Sequence, residues 1–194
     1  MSIKARLLPL LIIVAAASAE KAPAEKGTPS PAFFETLRAA DLRMATIAYR
    51  LTTANAALCD QLQPQIGMPI HALTQYGSTA RASAASAFGF EATIGVEAVV
   101  AGAPAARAGI RPNDSIVAIN GVAQPGLPTA DSPEGAAARD AAEAAIAAAP
   151  IGRPLRLTIL REGRQVPISV TPVSGCRSRF EILLGSGLGA SADG

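Results

Sequence analysis

The chain has 194 residues, enough for one sizeable domain or one domain with an extension. A hydrophobic fraction of 49% excludes a wholly disordered chain, but much of it is alanine; with aromatics at 4% and no tryptophan, the core must rest on Val, Ile and Leu. Two of the 17 basic groups, Lys4 and Arg6, lie in a segment expected to be cleaved, which leaves 15 against 15 acidic ones, so nothing points to nucleic acid or an anionic membrane as partner.

That segment is residues 1–19. Lys4 and Arg6 precede an apolar run, residues 7–17, and Ala17-Ser18-Ala19 is a small-residue cleavage pattern, which together read as a secretory signal peptide. The run is about half the ~20 residues a membrane span needs, so no stable span is expected after cleavage. Residues 20–33 are polar and proline-containing and read as a flexible linker.

Leu37, Met44, Leu51 and Leu58 recur every seven residues, with Ala40, Ile47 and Ala54 between them, and predict an amphipathic helix ending before Pro64. This seam has two readings, packing on its own domain or a short coiled coil with a second copy. Cys59 follows, and Cys176 is the only other cysteine. In an oxidising compartment such a pair predicts a disulfide, with two buried thiols as the alternative. Residues 65–87 contain the one histidine, His71, to which no role is assigned, and Arg81.

Residues 87–121, AFGFEATIGVEAVVAGAPAARAGIRPNDSIVAING, carry the strongest signals. Phe88-Gly89-Phe90 sets a permissive residue between two large apolar ones, a loop able to offer backbone N–H groups. A valine-rich strand over residues 95–101 enters a turn, Pro104 opens one helical turn, and Gly109 closes it as a left-handed cap. Ile116, Val117 and Ile119 form a strand that ends in Asn120-Gly121, the residues of a tight hairpin. Ser132 and Pro133 predict the start of an alanine-rich helix over residues 132–149, with Glu134 favouring its N-terminus. Leu155, Leu157 and Ile159 alternate with polar residues, Glu162-Gly163 turns the chain, and Val166, Ile168 and Val170 alternate on the return.

The order of these elements, "PAARAGI" then "NDSIVAING" then the hairpin over residues 155–172, resembles the PDZ domains of bacterial envelope proteases. Asn113-Asp114 stands where that family usually has Gly-Asp, and asparagine is the next most tolerant residue of a positive φ. The resemblance implies an α+β fold, a PDZ-like partly open β-barrel or sandwich with two helices, here preceded by the N-terminal amphipathic helix. The implied division is a helical extension over 34–84, the PDZ-like domain over 85–173 and a tail over 174–194. It also implies a peptide groove whose carboxylate-binding loop is Phe88, Gly89 and Phe90. Arg81, Glu91, Ala92, Ala138 and Ala142 are the further candidates for the groove.

The flanks "IAYRLTTANAALC" and "GCRSRFEILLGSGLGASADG" resemble segments around the PDZ insertion of periplasmic zinc metallopeptidase-like proteins. A zinc peptidase of that type needs two histidines one helical turn apart, and this chain has one. No Gly-x-Ser-Gly sequence is present, and Lys21 and Lys26 are the only lysines after the cleavage site. No catalytic residue, metal ligand or cofactor is therefore assigned. The expected function is a periplasmic module that binds protein C-termini or unfolded segments by β-strand addition, with an envelope protease as a further partner. The alternative is a truncated or degenerate zinc metallopeptidase lacking its HExxH domain.

Overall fold

The computed structural model describes residues 29–178 and 180; the signal-peptide segment and most of the linker and tail lie outside them. Helix α1 (Pro31–Ala54) opens with Pro31 in its first turn and Ser30 as N-cap, whose hydroxyl accepts from the Phe33 N–H at 3.3 Å. The expected seam faces the protein only in part, through the half-buried Leu37 and Met44. Phe34 and Thr52 are the buried residues of α1, whereas Ile47 and Leu51 are each 52% exposed and Leu58, beyond the helix end, is 82% exposed. Phe34 decides the docked face, because its ring packs edge-on against Tyr76 and Phe88 at 5.6 and 5.5 Å.

Then follow β1 (Leu62–Gln65), β2 (Ile70–Ala72), α2 (Ser78–Phe88), β3 (Ile94–Val96) and α3 (Pro104–Arg107). The chain continues through β4 (Ser115–Ile119), β5 (Val122–Ala123), α4 (Ala137–Ala147), β6 (Leu155–Arg161), β7 (Arg164–Val170) and β8 (Val173–Cys176). The main sheet is antiparallel with order β2-β3-β4-β6-β7, β5 pairing with β4, and a second sheet pairs β1 with β8. Both remain open, so the α+β fold is realised without barrel closure.

Ile70, Ile94, Ile116, Leu155 and Leu157 of the main sheet pack with Ala142 and Ile146 of α4 in one core. Each fully buried aliphatic of this kind stabilises the fold by about 1.5–3 kcal/mol. Ile66, Met68, Ile70 and Ala72 belong to the same core, so the domain does not begin at residue 85. Residues 34–84 hold two strands and most of a second helix besides α1, and β8 carries the domain past residue 173.

The turn chemistry follows the sequence. Asn120 and Gly121 take φ of 50° and 84° between β4 and β5, and Asn113 takes the positive φ, 71°, that its place required. Helix α4 starts later than its caps predicted. The Ser132 hydroxyl accepts from the Thr129 N–H at 2.9 Å instead, and the Glu134 carboxylate accepts from the Ser78 N–H at 2.7 Å, at the N-terminus of α2.

Two covalent and ionic ties complete the fold. Cys59 and Cys176 form a disulfide across 117 residues, which in a chain-entropy account is worth about 5 kcal/mol. Asp114, 2% exposed, holds Arg161 by a two-pronged pair at 2.6 and 2.7 Å and also accepts from the Arg111 N–H at 2.8 Å. The hydrogen bond to Asp114 is the main reason the Arg161 pKa is raised.

Candidate functional site

The Phe88-Gly89-Phe90 loop has no donors to give. Phe88 is the last residue of α2, and Gly89, at φ 59°, is its left-handed cap, with its N–H bonded to the Ala85 carbonyl. The Phe90 N–H donates to that same carbonyl at 3.3 Å. Both rings are interior, 1% and 9% exposed, in a second apolar cluster with Phe34, Leu73 and Ala84. The loop stops a helix and fills a core; it does not present a carboxylate site.

The other candidates also serve elsewhere. The Glu91 carboxylate accepts from the Gly163 N–H at 2.6 Å, at the β6–β7 turn, and Ala92 is 2% exposed. Arg81 donates to the Tyr76 carbonyl at 3.4 Å and approaches Glu134 at 3.7 Å. Ala142 is fully buried under the sheet and Ala138 packs on the same core, so the groove-facing side of α4 is the one bearing Arg139, Glu143 and Ala147.

An open groove of about 940 Å³ lies between that side of α4, residues 63–70 and the second half of α1. Its apolar floor includes Ile66, Met68, Ile70 and Ile146, and Met44 and Tyr49 of α1 form a third wall. Strand β2, which runs from the groove, pairs with β3 alone and is an edge of the main sheet. An edge beside a helix is the geometry that admits an extended peptide as an added strand, here along its first part, because the Ala72 N–H already donates to the Gln75 side-chain oxygen at 2.6 Å.

The approach to β2 is polarised. The carbonyls of Ile66, Gly67 and Pro69 accept from the N–H groups of Ala105, Val100 and Glu97 at 3.0, 2.9 and 3.1 Å. Among the described residues, no acceptor receives the N–H groups of Ile66, Gly67 or Met68. Successive backbone donors without partners suit an anion, above all a carboxylate that must leave water. Gly67 is required there: its φ is 68°, and an added Cβ would overlap the Ala103 side chain. The sequence signal was the same as at residue 89, a glycine between two large apolar residues, but placed before a strand.

Helix α1 is fastened behind this loop by polar contacts. Arg38 lies over the Phe88 ring, 4.7 Å from its centroid, and donates to the Asn113 amide oxygen at 2.6 Å. Asp41 and Glu97 share a hydrogen bond. Burial, then the neighbouring Asp41 charge, pushes the Glu97 carboxyl up to about 8, and burial also raises Asp41. His71 is enclosed: its ring centroid is 4.5 Å from that of Phe90 and 4.6 Å from that of Phe88, and its Nδ1 lies 2.9 Å from the Tyr76 hydroxyl. Burial drops its pKa to about 3, so it is neutral, and its Nε2 has no partner.

No helix among the described residues is long and apolar enough to cross a membrane. Comparison with known proteins finds no match among curated sequences. Among solved structures, the chain is similar to the HtrA-type protease AlgW with a decapeptide, at 23% identity and a TM-score of 0.41, covering 58% of this chain and 30% of that one. It is also similar to the HtrA3 PDZ domain bound to a phage-derived ligand, at 22% identity and a TM-score of 0.41, covering 59% and 89%. A third, a serine endoprotease from Yersinia pestis, gives 24% identity and a TM-score of 0.31 over 44% and 28%. The likeness is partial in every case. The family model described as PDZ domain matches residues 95–126, the stretch from β3 through β5 in the main sheet, and over that stretch the chain is similar to PDZ domains.

Proposed function

We propose that the chain is a peptide-binding module of the cell envelope, taking protein C-termini or unfolded segments by strand addition to β2. The observation that carries this reading is the run of unpartnered N–H groups at Ile66, Gly67 and Met68, leading into an edge strand that faces α4 across an apolar groove. A terminal carboxylate accepts from the loop, the peptide backbone pairs with the edge of β2, and an apolar last side chain meets Ile66, Met68 and Ile146. The cleavage pattern at residues 17–19 and the Cys59–Cys176 disulfide support a periplasmic setting. In that setting the module selects clients for envelope proteolysis or quality control as a binder, its one histidine being enclosed by aromatic rings.

The test is isothermal titration with decapeptides ending in Val, Leu or Ile, each with a free or an amidated C-terminus. Micromolar binding of the free-acid peptides, weakened at least tenfold by amidation, is expected. Equal binding of both forms removes the carboxylate site, and no binding at all removes the peptide-binding reading.

A further inference from the structure

The groove opens where the chain itself leaves the fold. β8 ends at Cys176, tied to Cys59, and the next residues are held beside β1: the Arg177 N–H donates to the Gln61 carbonyl at 2.8 Å, and the Gln63 amide donates to the Ser178 carbonyl at 3.2 Å. Arg177, Ser178 and Phe180 all line the groove, and Phe180 already has more than half of its surface covered, at 43% exposure. The chain then reads Glu181-Ile182-Leu183-Leu184, three consecutive aliphatic residues, before a Gly-Ser-Gly break. The groove's own floor is aliphatic, and three adjacent aliphatics left in water lose the stabilisation that covering them would give.

We propose that residues 180–184 of this same chain are the resting occupant of the groove and must be displaced by an incoming peptide. The proposal rests on the peptide-groove reading above. From Phe180, four extended residues reach about 13 Å, more than the length of the three-residue strand β2. Anchored at Ser178, this segment is present at an effective concentration on the order of millimolar, so even a weak intrinsic affinity outcompetes micromolar free peptide. The tail thus sets a threshold for the module: only a client that pairs well with β2 and fills the free donors of residues 66–68 displaces it.

The experiment uses the full chain and the double variant Ile182→Asp, Leu183→Asp, whose changes lie outside the described fold. Two fluorescein-labelled probes are titrated by anisotropy into each protein. One is the chain's own sequence RFEILLGSGL, amidated; the other is a free-acid decapeptide ending in three aliphatic residues. Both probes are expected to bind the variant at least tenfold more tightly than the wild type, with unfolding of the variant still cooperative. Equal binding of the free-acid probe to both proteins overturns the tail as occupant and leaves the groove reading standing. Failure of the RFEILLGSGL probe to prefer the variant likewise overturns it. Failure of both probes to bind either protein overturns both readings.

Discussion

Gly67 sits so close against Ala103 that a side chain at 67 would overlap the Ala103 Cβ, and the same added Cβ would lie 3.4 Å from the Tyr49 ring of α1. The loop before β2 is therefore clamped between α1 and the residue before α3. That clamp holds the carbonyls of residues 66, 67 and 69 inward and leaves the N–H groups of residues 66–68 without acceptors among the described residues.

Gly67→Ala tests this clamp. A positive φ of 68° costs an alanine about 1–2 kcal/mol, and the overlap with Ala103 adds about 1–3 kcal/mol of overpacking. Urea unfolding should show a loss of about 2–5 kcal/mol, and the folded fraction should bind free-acid peptides at least tenfold more weakly. Unchanged stability and affinity together would mean that the loop does not hold this backbone path.

The pH dependence of stability sets His71 against Glu97, with Asp41, also raised by burial, adding to the sign of Glu97. His71 has its pKa lowered to about 3, so the unfolded chain binds the extra proton and stability falls as pH drops from about 6.5 to about 3. Glu97 has its pKa raised to about 8, so the folded chain binds the extra proton and stability falls as pH rises from about 4.5 to about 8. Between about 4.5 and 6.5 the two slopes oppose each other, and the urea midpoint should be nearly flat. Above that window it should decline in the wild type, whereas Glu97→Gln, which keeps a hydrogen-bonding partner for Asp41, should lose most of the decline. An equally steep alkaline fall in Glu97→Gln would assign it to another group.

Asp114→Ala removes the acceptor of both Arg161 and the Arg111 N–H in a site where Asp114 is 2% exposed. Breaking a buried pair from one side leaves an uncompensated charge and costs about 3–5 kcal/mol. The Arg161 side chain, 21% exposed, can partly rehydrate, which sets the expectation near the lower figure. A loss below about 1 kcal/mol by thermal or urea unfolding would show that the pair is not a fixed part of the fold.

The parts of the fold that the sequence made legible are those decided locally. The alternation of Leu155, Leu157 and Ile159 with Val166, Ile168 and Val170 gave β6 and β7 around Glu162-Gly163, and Asn120-Gly121 gave the β4–β5 turn. Strand β2 could not be read because its three residues, Ile70, His71 and Ala72, gain strand geometry only by pairing with Val96, Gly95 and Ile94, more than twenty residues away. Helix α2 is largely alanine and serine, with Ala84 and Phe88 its only buried residues, and so has no apolar period to detect. Both faces of α1 carry apolar residues, and the docked one was chosen by Tyr76 and Phe88, partners that no local pattern names. The proposed site was hard to place for a related reason: Phe88-Gly89-Phe90 and Ile66-Gly67-Met68 are the same local chemistry. A helix before Gly89 makes it a cap, whereas Gly67 stands before an edge strand, which is what the proposed site needs.

Phe90→Ala separates those two roles. The ring lies 4.5 Å from the His71 ring and 6.2 Å from Phe88, and it is 9% exposed, so truncation leaves a cavity in the second core and should cost about 3–5 kcal/mol in urea unfolding. Because its N–H is committed to the Ala85 carbonyl and its side chain packs in the second cluster and does not line the groove, the protein that remains folded should bind free-acid peptides with the wild-type dissociation constant. Gly67→Ala should show the opposite emphasis, with affinity reduced even under conditions where the chain is fully folded. If Phe90→Ala kept its stability and lost peptide binding, the carboxylate site would return to residues 88–90 and the groove at β2 would have to be abandoned.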